Sequence, residues 1–344
     1  MTLAIILLAA GHGTRMNSRR QKVLHDIGGK PMVLHPFEAA ESIADVKPGV
    51  VVGAGEEGVR RLLGQRARYV VQEQRLGTGH ATQAARETLV GRADQVLVTY
   101  GDMPLLQAET MGRLARMQAQ SGAAVVMLTV MGDAQSSFGR VLRDDDGDVL
   151  EIVEVAQART RDDADDLLAI RELNAGVYCF DDAWLWENVS NLPLRQARSG
   201  PEDSLTDMVG LAVAQGRQVR GVEADDPDEG LSAGTRAELA GVERAFRRRI
   251  NRRWMQEGVT LVDPHNTYID AGVQIGQDTI IWPNTFLQGK TVIGQDCVIG
   301  PNSILRNTTV GNGAHVAQMF LEDSAVAEGA VIHPEESLKA KADD

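Results

Sequence analysis

From residue 269 onward one position in six is a large aliphatic: Ile269, Ile275, Ile281, Leu287, Ile293, Ile299 and Leu305. Four places after each stands a small residue, in turn Val273, Thr279, Thr285, Thr291, Cys297, Ser303 and Thr309. A large aliphatic and a small residue at fixed offsets in a six-residue cycle specify a left-handed parallel β-helix. The aliphatic fills the interior of a triangular coil, and the small residue fits its crowded wall. The cycle loosens after Leu305 and resumes around Val310, Val316, Leu321, Val326 and Ile332. Cys297 belongs to that wall and receives no chemical role.

The first 230 residues follow a different rule. Short β-branched runs at Leu3 to Ala10, Gly49 to Gly53, Ala67 to Gln72, Val96 to Gly101 and Ala123 to Val130 alternate with helical patterns at Met32 to Ile43, Glu56 to Gln65 and Thr78 to Leu89. The runs are continuously apolar, as strands buried on both faces are. This implies a Rossmann-like α/β domain whose mainly parallel sheet carries helices on each side. Val141 to Phe180 reads as extended pairs, interrupted by a surface loop at Arg159 to Asp166. Trp184 and Trp186 beside Tyr178 and Phe180 read as core or sugar-site wall. Thr235 with Glu238 forms a capping box for a helix whose stripe is Leu239, Val242, Phe246, Ile250 and Trp254, ended by Gly258. Its arginines, Arg247 to Arg249 with Arg252 and Arg253, read as a solvated face, an anionic partner being the alternative. The division expected is an α/β domain over 1–229, a linker and helix over 230–258, the β-helix over 259–334, and a polar, disordered tail over 335–344.

Net charge is −13, so the chain would repel a phosphate backbone, and no nucleic-acid partner is expected. Two distant cysteines, Cys179 and Cys297, exclude a disulfide scaffold or thiolate zinc site and fit a reducing cytosol. The apolar start, Met1 to Ala10, is too short to span a bilayer and lacks the basic flank of a signal peptide, so no membrane role is expected. His25, His35 and His80 have no metal-ligand spacing among them and read as structural histidines.

The chemistry lies in a glycine-rich loop, Leu8-Ala-Ala-Gly-His-Gly-Thr-Arg-Met16, and in Asp102, which closes the strand ending at Tyr100 and Gly101. Gly11 and Gly13 permit backbone angles that let several N–H groups converge on a phosphate. Met16 stands where a dinucleotide fingerprint needs its third glycine, and Gly13 is followed by Thr14-Arg15 where a Walker A loop needs lysine. What remains is a loop with two cations downstream, Arg15 and Lys22, suited to a triphosphate. Asp102 falls at the C-terminal edge of a parallel sheet, beside that loop. Mg²⁺ prefers few protein carboxylates plus substrate phosphates, so one aspartate is enough to begin a site. A turn aspartate before Pro104 is the alternative reading.

These segments, with Lys22-Val-Leu-His25 and Gly29-Lys-Pro-Met32, resemble the opening signature of sugar-1-phosphate nucleotidylyltransferases. Gln72-Glu-Gln-Arg-Leu-Gly-Thr-Gly-His80, Tyr100-Gly-Asp102 and Glu172-Leu-Asn-Ala-Gly176 are similar to the uridyltransferase half of the bifunctional GlmU family, and the likeness runs on through the hexapeptide coils. The resemblance implies that Leu8, Ala9, Ala10, Gly11 and Gly13, with Tyr100 and Gly101, line the nucleotide, and that Gln72, Gly77 and Thr78 read uracil. It implies that Arg15 and Lys22 hold the triphosphate, that Asp102 binds Mg²⁺, and that Gly139, Glu154 and Asn174 hold the amino sugar and ribose. The implied reaction transfers UMP from UTP to N-acetylglucosamine 1-phosphate, giving UDP-N-acetylglucosamine, a cell-wall precursor, and pyrophosphate. Such enzymes are cytoplasmic, and three-fold packing of relatives' coils implies a homotrimer.

Two departures stand out. The family's second metal ligand, an asparagine before the linking helix, has no counterpart in Gly230-Leu-Ser-Ala-Gly-Thr-Arg236. Its position falls on Ser232 or Gly234, with Asp226, Asp228 or Glu229 as substitutes. The family's tyrosine-rich stretch before Leu205-Thr-Asp207 is replaced by Glu202-Asp-Ser204. Acetyl transfer in the family uses residues beyond Asp344, and its first basic position appears as Lys339, so no acetyltransferase activity is expected. Two alternatives stay open: the same chemistry with another pair, such as glucose 1-phosphate with UTP or dTTP, and a regulatory protein that binds UDP-sugar without turnover.

Overall fold

Alternate residues of the first strand, β1 (Leu3–Leu8), enter two different cores. Leu3, Ile5 and Leu7 join one apolar cluster, while Ala4, Ile6 and Leu8 join the other. That two-sided burial is why the run is apolar without interruption. The computed structural model describes residues 1–133, 136–145, 147–197 and 200–334. The expected disorder of 335–344, and Lys339 with it, lies outside the described residues.

The chain divides into two compact units, one of residues 1–25 and 31–242, the other of 26–30 and 243–344. In the first, β1 is followed by α1 (Leu34–Ile43), β2 (Gly49–Gly53), α2 (Glu57–Leu63), β3 (Arg68–Gln72), α3 (Thr78–Ala84) and β4 (Gln95–Tyr100). Then come α4 (Ala108–Ser121), β5 (Val125–Met131), β6 (Arg140–Arg143), β7 (Val149–Val153), β8 (Glu172–Asp181), α5 (Asp207–Ala214) and β9 (Val219–Glu223). The sheet runs β9-β5-β8-β4-β1-β2-β3, with the β6–β7 hairpin attached to β8. Apart from that antiparallel hairpin, it is parallel except at β8, which lies antiparallel to both β4 and β5. Residues of α1, α2 and α4 fill one cluster, and residues of α3 and α5 the other.

The chain moves from β1 outward to β3, then returns to β4 on the other side of β1. That reversal makes a crevice beyond the strand ends, where open α/β sheets bind ligands. Leu8 and Tyr100 are paired at that edge, so the glycine loop and Asp102 leave the sheet side by side.

Two expectations are revised. The helix expected over 78–89 breaks at Ala85 into Thr78–Ala84 and Arg86–Leu89. The acidic segment expected as a loop over 159–166 turns helical at Ala164–Ala169, with Asp165 and Asp166 in the first turn, where a helix dipole favours them. Leu167 of that turn packs with Val153 and Ala158. Trp184 and Trp186 are core residues, as expected.

The helix α6 (Arg236–Gln256) has half of its capping box. Glu238 N donates to Thr235 Oγ1 at 3.2 Å, but the Glu238 carboxylate accepts from Gly234 N at 2.7 Å and not from Thr235. Gly258 follows with φ +93°, the left-handed stop expected of it.

In the second unit, stacked parallel strands form three ladders, as a left-handed β-helix does. One contains Ile280–Ile281 and Val298–Ile299, another Thr285–Gln288 and Ile304–Arg306, the third Gln274–Ile275 and Val292–Ile293. The repeating aliphatics from Ile269 to Leu305 are all buried. So are the wall residues, whose hydroxyls bond the backbone of the coil; Thr279 Oγ1 donates to Gly294 O at 2.9 Å. One position needs correction. Ile275 pairs with Ile293, but Ile293 pairs with Val310, one residue short of a full coil. The lost residue shifts the frame, so Thr308 is the buried wall residue and Thr309 faces out. Among the described residues no helix is long and apolar enough to cross a membrane.

Candidate nucleotide and sugar-phosphate site

Beyond the β1–β4 edge lies a cavity of about 730 Å³, all of it within the first unit. Leu8, Ala9, Ala10, Gly11 and Gly13 form one wall, with Lys22, Tyr100 and Asp102 beside them. Gln72, Gly77 and Thr78 line a second side, and Gly139, Glu154 and Asn174 a third. Arg15 and Gly101 are not in the wall. Thr14–Met16 forms a tight helical turn that carries Arg15 toward Gly234, where its guanidinium would meet an added Cβ at 2.6 Å. Gly101 is buried beneath, its N–H donated to Leu8 O at 3.0 Å.

Only one glycine of the loop is conformationally special. Gly13 has φ +64°, and a Cβ there would strike the Lys22 stem at 2.5 Å. Gly11 needs no left-handed backbone, contrary to expectation; it contributes open space. Lys22, packed on Gly13, reaches Asp102 with Nζ–Oδ2 at 2.5 Å. Asp102 is therefore already faced by a cation of the chain.

Arg75, quoted in a motif but given no role, is the second cation in the wall. Its Nε donates to Ala10 O at 2.7 Å and its Nη2 to Glu56 Oε1 at 3.0 Å, with Nη1 against His12 Nε2 at 2.7 Å. Glu56 also accepts from Gly53 N and Gln21 Nε2, both at 2.9 Å. The glycine loop is thus braced from β2 and from the loop after β3. The only signal for Arg75 was its place between Gln72 and Gly77.

The second side is held by the segment that departs from the family pattern. Asp203 accepts the Thr78 N–H on its carbonyl at 3.2 Å and the His80 N–H on Oδ1 at 2.9 Å. Its own N–H donates to Leu76 O at 2.7 Å, and Leu205 N donates to Thr78 Oγ1 at 2.8 Å. Gly77 has φ +115° and lies so close to Asp203 that no side chain would fit. Burial pushes the Asp203 carboxyl above its ordinary pKa, against the pull of these N–H donors.

On the third side Arg140 is fully buried and donates to Ser136 O at 2.9 Å and to Phe138 O, holding the turn that places Ser137, Phe138 and Gly139 in the wall. Gly139 packs on Glu154, whose Oε1 would lie 3.2 Å from an added Cβ. Desolvation raises the Glu154 carboxyl pKa, the nearby Asp207 carboxylate raises it further, and Arg140 opposes both. Asn174 Nδ2 donates to Tyr178 Oη at 2.8 Å, and its Oδ1 accepts from Gly176 N at 2.9 Å. One N–H of that amide remains for a ligand.

Of the residues weighed against the missing asparagine, Ser232 lines the cavity, and Ala233 N donates to Asp102 O at 3.3 Å. Glu229 is elsewhere: its carboxylate accepts from Gln107 N at 3.0 Å and Thr110 Oγ1 at 2.9 Å at the start of α4. Asp226 Oδ1 caps its own turn through Asp228 N at 3.0 Å. Among the described residues no three His, Cys, Asp or Glu side chains gather into a metal cluster.

Known proteins carry the same pattern. A family model described as a MobA-like NTP transferase domain matches residues 5–174. The bifunctional protein GlmU of Shouchella clausii is 38% identical over 329 residues, covering 96% of this chain and 71% of that protein. GlmU of Trichlorobacter lovleyi is 43% identical over 282 residues, 81% of this chain and 60% of its own. GlmU of an Exiguobacterium species is 41% identical over 337 residues, 98% and 73% respectively.

Proposed function

The chain belongs to the GlmU family of sugar-1-phosphate nucleotidyltransferases, and from that premise we propose that it transfers UMP from UTP to N-acetylglucosamine 1-phosphate. The observation that carries the reading is one cavity joining the glycine loop, the Lys22–Asp102 pair, the buried Gln72 amide and the Glu154–Asn174 side. Loop N–H groups and Lys22 hold the triphosphate, Gln72 meets the base, and Glu154 with Asn174 orients the amino sugar. A phosphate oxygen of the sugar phosphate attacks the α-phosphorus in line, the bond to the β-phosphate oxygen breaks, and pyrophosphate leaves. The attacking oxygen is already anionic, so no general base is required; positioning and charge neutralisation do the work.

The donor set fits Mg²⁺. Asp102 is the carboxylate that would hold the ion, and the Ser232 hydroxyl lies in the same wall. Mg²⁺ keeps most of its waters and takes few protein ligands. When bound it supplies positive charge to the phosphate oxygens and fixes their alignment. Arg75 braces the loop from the side.

The coils support the further proposal of a homotrimer. Tyr268, Phe286, Ile304 and Phe320 form an outward ladder, Tyr268 and Phe286 stacked at 4.4 Å and Phe320 57% exposed. An apolar row of that kind favours a protein neighbour over water. Light scattering should return three times the chain mass.

Incubation with UTP, Mg²⁺ and N-acetylglucosamine 1-phosphate should release pyrophosphate, with glucose 1-phosphate and dTTP as competing substrates. Silence with every sugar phosphate and nucleotide would reject the enzyme and favour a binding protein.

A further inference from the structure

Gln72 is 4% exposed and lines the cavity. Its amide offers two N–H groups and one carbonyl oxygen, and the protein takes both N–H groups. Nε2 donates to Gly77 O at 3.0 Å and contacts His80 Nδ1 at 3.1 Å. An amide nitrogen has no lone pair to offer, so this contact requires His80 Nδ1 to be the acceptor. The reversed amide would set Oε1 against the Gly77 carbonyl, two acceptors facing each other. Only Oε1 is left for a ligand. His80 is itself fixed, since it sits in the first turn of α3 with its N–H on Asp203 Oδ1.

We propose that His80 is a positioning residue that sets base specificity: by taking the second N–H of Gln72, it leaves the base an acceptor and nothing else. A base presenting a ring N–H, as uracil does at N3, is accepted. Cytosine presents a lone pair there, meets Oε1 acceptor to acceptor, and is rejected. The inference rests on the uridyl-transfer reading for the base's location at Gln72. Sites built to hydrogen-bond one edge discriminate strongly because the wrong ligand leaves a buried group unmatched. Remove the imidazole and only the Gly77 carbonyl still holds the amide, so the acceptor offered to the base is kept in place by one bond instead of two.

The test compares UTP with CTP in pyrophosphate release by the full chain, and UMP with CMP in calorimetric binding. In His80→Leu the UTP preference should fall by about 10-fold or more, through KM, while kcat for UTP stays within about 3-fold. His80→Asn keeps an acceptor at the Nδ1 position and should recover most of the preference, which a merely structural histidine would not predict. An unchanged preference in His80→Leu overturns the proposal, as does equal binding of UMP and CMP by the unsubstituted chain. If neither nucleotide turns over in that chain, the uridyl-transfer reading fails. The calorimetric ratio still decides the role of His80.

Discussion

The two units solve the problem of specifying structure in opposite ways. In the coils each interior aliphatic stacks on another a single turn away, such as Leu287 between Ile269 and Leu305. In the α/β unit the residues that matter come from far apart: Asp102 meets Lys22 across 80 positions, and Asp203 meets His80 across 123. Repetition yields a rigid support whose parts are interchangeable in type. Long-range closure yields a cavity in which each side chain has a separate task.

That contrast predicts unequal sensitivity. The largest effect is expected from Asp102→Ala, which removes the carboxylate paired with Lys22 and should lower turnover by about 10³-fold or more. Pyrophosphate release alongside a melting curve is the measurement; surviving turnover in a folded variant would mean that the chemistry lies elsewhere. Next is Leu287→Ala, at a fully buried coil position, expected to cost about 3 kcal/mol of coil stability in chemical denaturation. Its KM for UTP should stay within about 2-fold, and a large shift would abolish the separation drawn between the units.

The smallest effect concerns pH. The folded-state pKa of Glu154 is raised, chiefly by desolvation. The folded state is therefore favoured where this carboxyl is protonated in both states, below its ordinary value of 4.5, and loses that advantage as pH rises through the raised value. Glu154→Gln should melt at a higher temperature than the parent at neutral pH, with the gap closing in acid. A gap that does not depend on pH would point to packing against Gly139 as the cause.

Legibility in the sequence divides along the same line. The coil interior could be read because its rule recurs, and reading failed where the rule skipped a residue. Thr308 and Thr309 are identical in type, so only backbone pairing tells which one is buried. The strands around the cavity were legible from their apolar runs, and the glycine loop, Lys22 and Asp102 from the glycines and charges that mark them, whereas the other named wall residues came only through the family resemblance. Arg75 and Asp203 were not legible, because their tasks depend on partners brought in by folding. The position of the Arg15 guanidinium beside Gly234 was likewise not legible, because nearness in sequence to Gly13 does not determine which way a tight turn points its side chain.

The hold of Asp203 on Leu76, Thr78 and His80 has a consequence for biosynthesis. A ribosome delivers the glycine loop and Gln72 early, but the clasp that shapes residues 76–80 arrives more than 120 positions later. Domains generally fold as units during synthesis. A nascent chain halted before Asp203 therefore has its glycine loop without the clasp on residues 76–80, and on the proposed reading competence to select a nucleotide is acquired late in translation.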